Sequence, residues 1–173
     1  MKRNYNKAIV HFEKSLVATK VLTGAKDDLI AEIYLNLGVA HDSANNFPKA
    51  IKCFDLCIEC ERAISSKAFI CKGRALSKFG MYDGALTCLS IALDIGGNSR
   101  EEADILVAKG QLLDLMDNNA PAMDCYLSAL SMYRKLPSND EVVASVCQEI
   151  ANSHLRKGRF DAAQEFAKEA FDM

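Results

Sequence analysis

Cys53, Cys57 and Cys60 form the densest cluster of chemically active side chains in the chain. Their C-x3-C-x2-C spacing suits thiolate ligation of an iron–sulfur cluster. Steps of four and three residues put all three on one face of a helix. That face also carries Ala50 and Phe54 at the same steps, and no glycine-rich or strand segment accompanies it, so the sulfurs read as core atoms. The three histidines, His11, His41 and His154, are far apart in sequence. No H-E-x-x-H, no Ser, His and Asp order and no phosphate-cradling glycine loop appears. Gly96-Gly97 precedes a helix start at Ser99 but lacks the following Lys and Ser or Thr, and reads as a linker. Neither catalysis nor a metal or cofactor is expected.

The cysteine helix is one instance of a wider pattern. Ala50, Phe54 and Cys57 recur as Ala85, Leu89, Ala92, then Ala122, Tyr126, Ala129, then Ala163, Ala167, Ala170. The leading alanines are 35, 37 and 41 residues apart, and a weaker copy at Ala8, Phe12 and Ser15 lies 42 residues upstream. Periods of this size signal stacked supersecondary units, none of which covers its apolar face alone.

Each alanine segment is preceded by a second amphipathic stretch that runs into a break. Ile30, Ile33, Tyr34 and Leu37 lead to Asn45-Asn46; Phe69, Ile70, Gly73 and Leu76 lead to Gly80. Ile105, Leu106, Gly110 and Leu113 lead to Asp117-Asn119, and Val143, Cys147, Ile150 and His154 to Gly158. Asn and Gly suit the left-handed backbone that ends a helix, and Pro48 and Pro121 suit the first turn of the next. The order is helix, tight turn, helix, four times over, with no strand alternation.

The bulk numbers agree. Half of the 173 residues are hydrophobic and a quarter charged, at net charge -2, which is the balance of a soluble globular protein. The 21 Lys and Arg are spread along the chain and outnumbered by 23 acids, so no nucleic-acid partner is expected. No run approaches a membrane span, and the amino terminus lacks the apolar core of a signal peptide. An intracellular, cytoplasmic location follows, and an odd count of seven cysteines fits reduced thiols.

Leu37-Gly38, Phe47, Ala50 and Phe54, repeated as Gly73, Leu76, Gly80, Tyr82, Ala85, Leu89 and Ala92, resemble tetratricopeptide repeats. The third copy keeps Gly110, Ala122, Tyr126 and Ala129 but has Asn119 where an aromatic is usual. The fourth keeps Gly158, Phe160, Ala163 and Ala170 but has Ala151 in place of the first-helix glycine. The resemblance implies an all-α fold, a right-handed α-solenoid of stacked helix-turn-helix units. It implies a single solenoid over 1–173, with a lone second helix at 5–20 and repeats at 29–62, 66–96, 102–135 and 141–173. The long spacings are similar to those of kinesin light chains and long-repeat polarity adaptors. A start inside a repeat and an end without a polar cap are expected of a segment of a longer protein.

In this family the first helices line a concave groove that receives an extended peptide or a helix. The matching positions here are Glu32, Leu35, Asn36, Val39 and Asp42, then Lys67, Ile70, Arg74 and Lys78. Gln111 and Asp114 follow in the third repeat, and Gln148, Asn152 and Arg156 in the fourth. Leu35 and Val39 stand where a carboxylate clamp would need Lys and Asn, so that clamp is not expected. Lys67, Arg74 and Lys78 share one stripe and suit an acidic partner segment. The resemblance thus implies a protein-interaction scaffold or adaptor. The alternative is a structural spacer that self-associates through an apolar end around Phe166, Phe171 and Met173.

Overall fold

The computed structural model describes residues 2–23, 28–60, 66–137 and 140–172, and these are helical apart from short connections. The helices are α1 (Lys2–Thr23), α2 (Asp28–Ser43), α3 (Phe47–Cys60), α4 (Ser66–Phe79), α5 (Tyr82–Ile95), α6 (Ser99–Leu115), α7 (Asn119–Tyr133), α8 (Asp140–Arg156) and α9 (Phe160–Phe171). Two compact units result, Met1–Ile95 with α1 to α5 and Gly96–Met173 with α6 to α9. Within each, consecutive helices pack as hairpins, α2 on α3, α4 on α5, α6 on α7 and α8 on α9. Each unit is an all-α stack of helix-turn-helix repeats, and α1 packs against α2 at the start of the first.

The four hairpin turns share one geometry. Asn45, Gly80, Asp117 and Gly158 all have φ between 56° and 86°. In each, the next residue's amide donates to a carbonyl five residues back: Asn46 to His41, Met81 to Leu76, Asn118 to Leu113 and Arg159 to His154, at 2.8–3.0 Å. These are the paired bonds of a Schellman closure, which satisfies carbonyls a helix end would leave bare. The second helix then begins two residues after the left-handed one, at Phe47, Tyr82, Asn119 and Phe160. Pro48 and Pro121 fall in the opening turns of α3 and α7, as the sequence implies. Asn98 caps α6, its side chain accepting from the amides of Arg100 and Glu101 at 3.0 Å each.

Inside each hairpin the two backbones close to within a side chain's width. A Cβ on Gly38 would lie 2.5 Å from the Phe54 ring, and one on Gly110 would lie 2.7 Å from the Tyr126 ring. At Gly73 the corresponding neighbour is Leu89, at 3.2 Å. The covering residue always follows its glycine by sixteen positions, and in the fourth repeat the same interval joins Ala151 to Ala167. Phe54 and Tyr126 are 1% and 0% exposed, with Ala50, Ala85, Ala122 and Ala163 beside the seam at 0–2%.

Gly38→Ala and Gly110→Ala should each destabilise by about 1–3 kcal/mol, because the new methyl overpacks against a fixed ring. Gly84→Ala, whose Cβ would sit 3.6 Å from Leu76, should instead stabilise by about 0.5 kcal/mol through the unfolded chain. Urea melts of the three variants check the contrast. Equal effects at Gly38 and Gly84 would contradict the steric account.

Candidate functional site

The first helices α2, α4, α6 and α8 each present a polar stripe opposite their packed side. In the first unit Glu32, Asn36 and Val39 are exposed on α2, and Lys67, Arg74 and Lys78 on α4. In the second unit Gln111 is exposed on α6, and Gln148, Asn152 and Arg156 on α8. Four groove positions sit differently. Leu35 is 8% exposed and belongs to the core with Tyr34, Phe54 and Ala68. Ile70 is half-buried, and Asp42 is half-buried beneath Lys78. The Asp114 side chain is 2% exposed. Gln111 donates to Glu149 at 3.0 Å, and Gln148 to Asn152 at 3.3 Å.

Each unit joins its two first helices by a carboxylate–cation clasp at the same register. Lys78 Nζ lies 2.6 Å from Asp42 Oδ2, and Arg156 lies 2.6 Å from Asp114 Oδ2. The acid stands four residues after its helix's seam glycine, and the cation five residues after the seam residue of the next first helix. The surroundings of the two acids differ. Asp114 also accepts from Ser153 Oγ at 3.1 Å and from the Tyr126 hydroxyl at 3.4 Å. The same register positions in the first unit hold Ala75 and Phe54, which have no hydroxyl. Asp42 Oδ1 is accordingly buried without a hydrogen-bond partner. No pairwise reading of the sequence reveals this, because four residues from three helices must be brought together first.

His41 and His154 occupy one register, three residues after Gly38 and Ala151, and are 5% and 9% exposed. Burial, helped by Lys49 for His41 and by Lys157 and Arg159 for His154, lowers both imidazole pKa values. His154 stacks on Phe166, ring centroids 5.9 Å apart. His11, the third histidine, is exposed on α1. Cys53, Cys57 and Cys60 are 8%, 0% and 8% exposed and pack in the core of the first unit. None of the seven cysteines is in a disulfide. Burial and the charge of Glu13 push the Cys53 thiol up to about 11, so it stays protonated at neutral pH. Among the described residues no group of three His, Cys, Asp or Glu side chains is placed to hold a metal ion.

The family model of the tetratricopeptide repeat matches residues 31–64 and 144–173, the α2–α3 and α8–α9 hairpins. The crystal structure of MamA superimposes with a TM-score of 0.75 at 22% identity, covering 99% of this chain and 89% of that one. BtubC (BKLC) from P. vanneervenii gives 0.80 at 17% identity, covering 96% and 72%. MamA 41-end from Desulfovibrio magneticus RS-1 gives 0.72 at 18%, covering 99% and 93%. At these identities the likeness is one of fold. No curated protein matches the sequence.

Grafting the second unit's hydroxyls into the first, as Phe54→Tyr with Ala75→Ser, should raise stability by about 1 kcal/mol by giving Asp42 its missing donors. Thermal melts of the single and double variants check this, with a coupled gain expected. Acid should act in the other direction. The unfolded imidazoles protonate near about 6.5, above their folded values, so unfolding takes up protons and stability falls as pH drops through that range. Melting temperatures between pH 7.5 and 5.5 should therefore decline, and less steeply in His41→Gln/His154→Gln.

Proposed function

We propose that this chain, with its tetratricopeptide repeats, is a protein-interaction scaffold that holds partner segments on the exposed stripes of its first helices. The observation that carries the reading is the state of α4. Lys67 and Arg74 are exposed seven residues apart, on one stripe of the helix, and Lys78 on the same helix pairs with Asp42. Val39 on α2 adds an apolar contact at 43% exposure, beside Asn36, whose amide can both donate to and accept from a peptide backbone. The fitting partner is an extended segment or helix with acidic residues. On the first unit the candidate positions are Glu32, Asn36, Val39, Lys67 and Arg74; on the second unit, taken by itself, they are Gln111, Gln148 and Asn152, with Arg156 clasped to Asp114 as Lys78 is to Asp42. A binding role also fits where His41, His154 and the trio Cys53, Cys57 and Cys60 lie, in packing positions. Reduced thiols and the absence, among the described residues, of any helix long and apolar enough to cross a membrane fit an intracellular setting.

A second reading has its own observation. Phe160 and Phe171 on α9 are 69% and 89% exposed, an apolar surface suited to self-association as a spacer in a larger assembly. Phe166 is half-buried under His154, and Met173 lies outside the described residues.

Lys67→Glu with Arg74→Glu should lower the affinity for acidic peptides on an array by about tenfold or more and flatten its decline with added salt, because the attraction lost is the one that salt screens. Binding profiles identical to the parent would remove the α4 assignment. Under the second reading, sedimentation should show concentration-dependent oligomers that vanish in Phe160→Ser/Phe171→Ser.

A further inference from the structure

The five second-helix segments of this chain supply an internal control for what their outward face should carry. Two residues after the leading alanine stand Lys52, Thr87, Asp124 and Glu165, all polar and all exposed. Nine residues after it stand Glu59, Asp94, Ser131 and Asp172, again polar and exposed. In α1 the same two positions are Val10 and Val17, 47% and 66% exposed, and Val21 continues the row at 81%. Steps of seven and four residues put the three valines on one stripe. The stripe lies opposite the side by which α1 joins the first unit. There Leu16 packs on the core, Thr19 is buried, and Lys20 donates to the Tyr34 hydroxyl at 2.6 Å with its ammonium 5.1 Å from that ring's centre. α1 is therefore apolar on two opposed sides, one of them unpartnered.

Charge decides what fits that side. Lys7 and Lys14, seven residues apart and both exposed, line one flank of the valine row. A parallel pair of α1 helices would set these lysines against the other flank, where Asn6 and Glu13 are exposed, but an antiparallel pair would bring them together. Such like-charge contacts oppose antiparallel pairing. A helix with apolar residues at three- and four-residue steps and Asp or Glu along one flank meets both features at once.

We infer that the outward face of α1, through Val10, Val17 and Val21 with Lys7 and Lys14, is a docking site for an acidic amphipathic helix. It is separate from the first-helix stripes, so the chain takes partners on two surfaces.

The test uses the full chain and two synthetic helices of about 20 residues, both with leucine at three- and four-residue steps, one flanked by glutamate and the other by lysine. Fluorescence anisotropy should show saturable binding of the acidic helix and at least a tenfold weaker response to the basic one. Val10→Lys/Val17→Glu installs the residue types found at Lys52 and Glu59, and should cut acidic-helix affinity by at least tenfold with unchanged circular dichroism. Lys7→Glu/Lys14→Glu should reverse the preference towards the basic helix, and both effects should persist when measured in a Lys67→Glu/Arg74→Glu background, in which the α4 stripe no longer contributes. The inference is overturned by equal binding of both helices, by no saturable binding, or by affinity that survives the valine substitutions. It is likewise overturned if loss appears only with Lys67→Glu/Arg74→Glu, which would return the site to α4. A parent dimer in sedimentation that Val10→Lys/Val17→Glu dissolves would assign the stripe to a second copy instead.

Discussion

The contact between a first-helix glycine and the ring that follows it by sixteen residues fixes the rest of each hairpin. At Gly38 and Gly110 the missing Cβ lets Phe54 and Tyr126 lie against backbone, which draws the helices close enough for Ala50 and Ala122 to be fully buried beside them. In the fourth hairpin the first residue is Ala151, which is buried, and the residue sixteen positions on is Ala167, which is exposed. The ring also decides the polar chemistry nearby, since a hydroxyl on it reaches Asp114 and its absence leaves Asp42 Oδ1 bare.

The fold was legible because its determinants are local and repeated. Asn45, Gly80, Asp117 and Gly158 mark the turns by residue type, and each adopts the left-handed backbone that such residues tolerate. The cysteine trio was legible for the same reason, as its three- and four-residue steps coincide with those of Ala50 and Phe54. The ends of helices were less so. α1 extends over Lys2–Thr23 where the pattern marks 5–20, because the weak flanking residues add no periodic signal. Gly96, at φ 78°, opens the second compact unit at the place where the Gly96-Gly97 pair marks a linker in the sequence.

The candidate surfaces were legible in part. Helical spacing places Asn36, Arg74 and Asn152 on exposed stripes, but an offset of a single residue turns a side chain by about a quarter of a circle. Leu35 and Asp114 fall on that margin, and the neighbouring helix settles the matter by burying both. Which cations are available is a tertiary property as well. Lys78 and Arg156 look equivalent to Arg74 by spacing, yet each has an acid waiting on the preceding first helix of its own unit.

Every interval inside a hairpin is constant, twelve residues from Gly38 to Ala50, Gly73 to Ala85, Gly110 to Ala122 and Ala151 to Ala163, although the repeats themselves differ in length. The length variation therefore falls outside that interval, in the connections between hairpins and in the leading turns of the first helices, of which α4 has 14 residues and α6 and α8 have 17. The hairpin behaves as a cassette with a fixed internal gauge, and the joints between cassettes are the places where insertions can accumulate without moving any ring off its glycine. Two chains of this kind could thus diverge in length and curvature while keeping identical hairpins, and a graft that exchanges whole hairpins at those joints would carry its seam, turn and surface stripe intact.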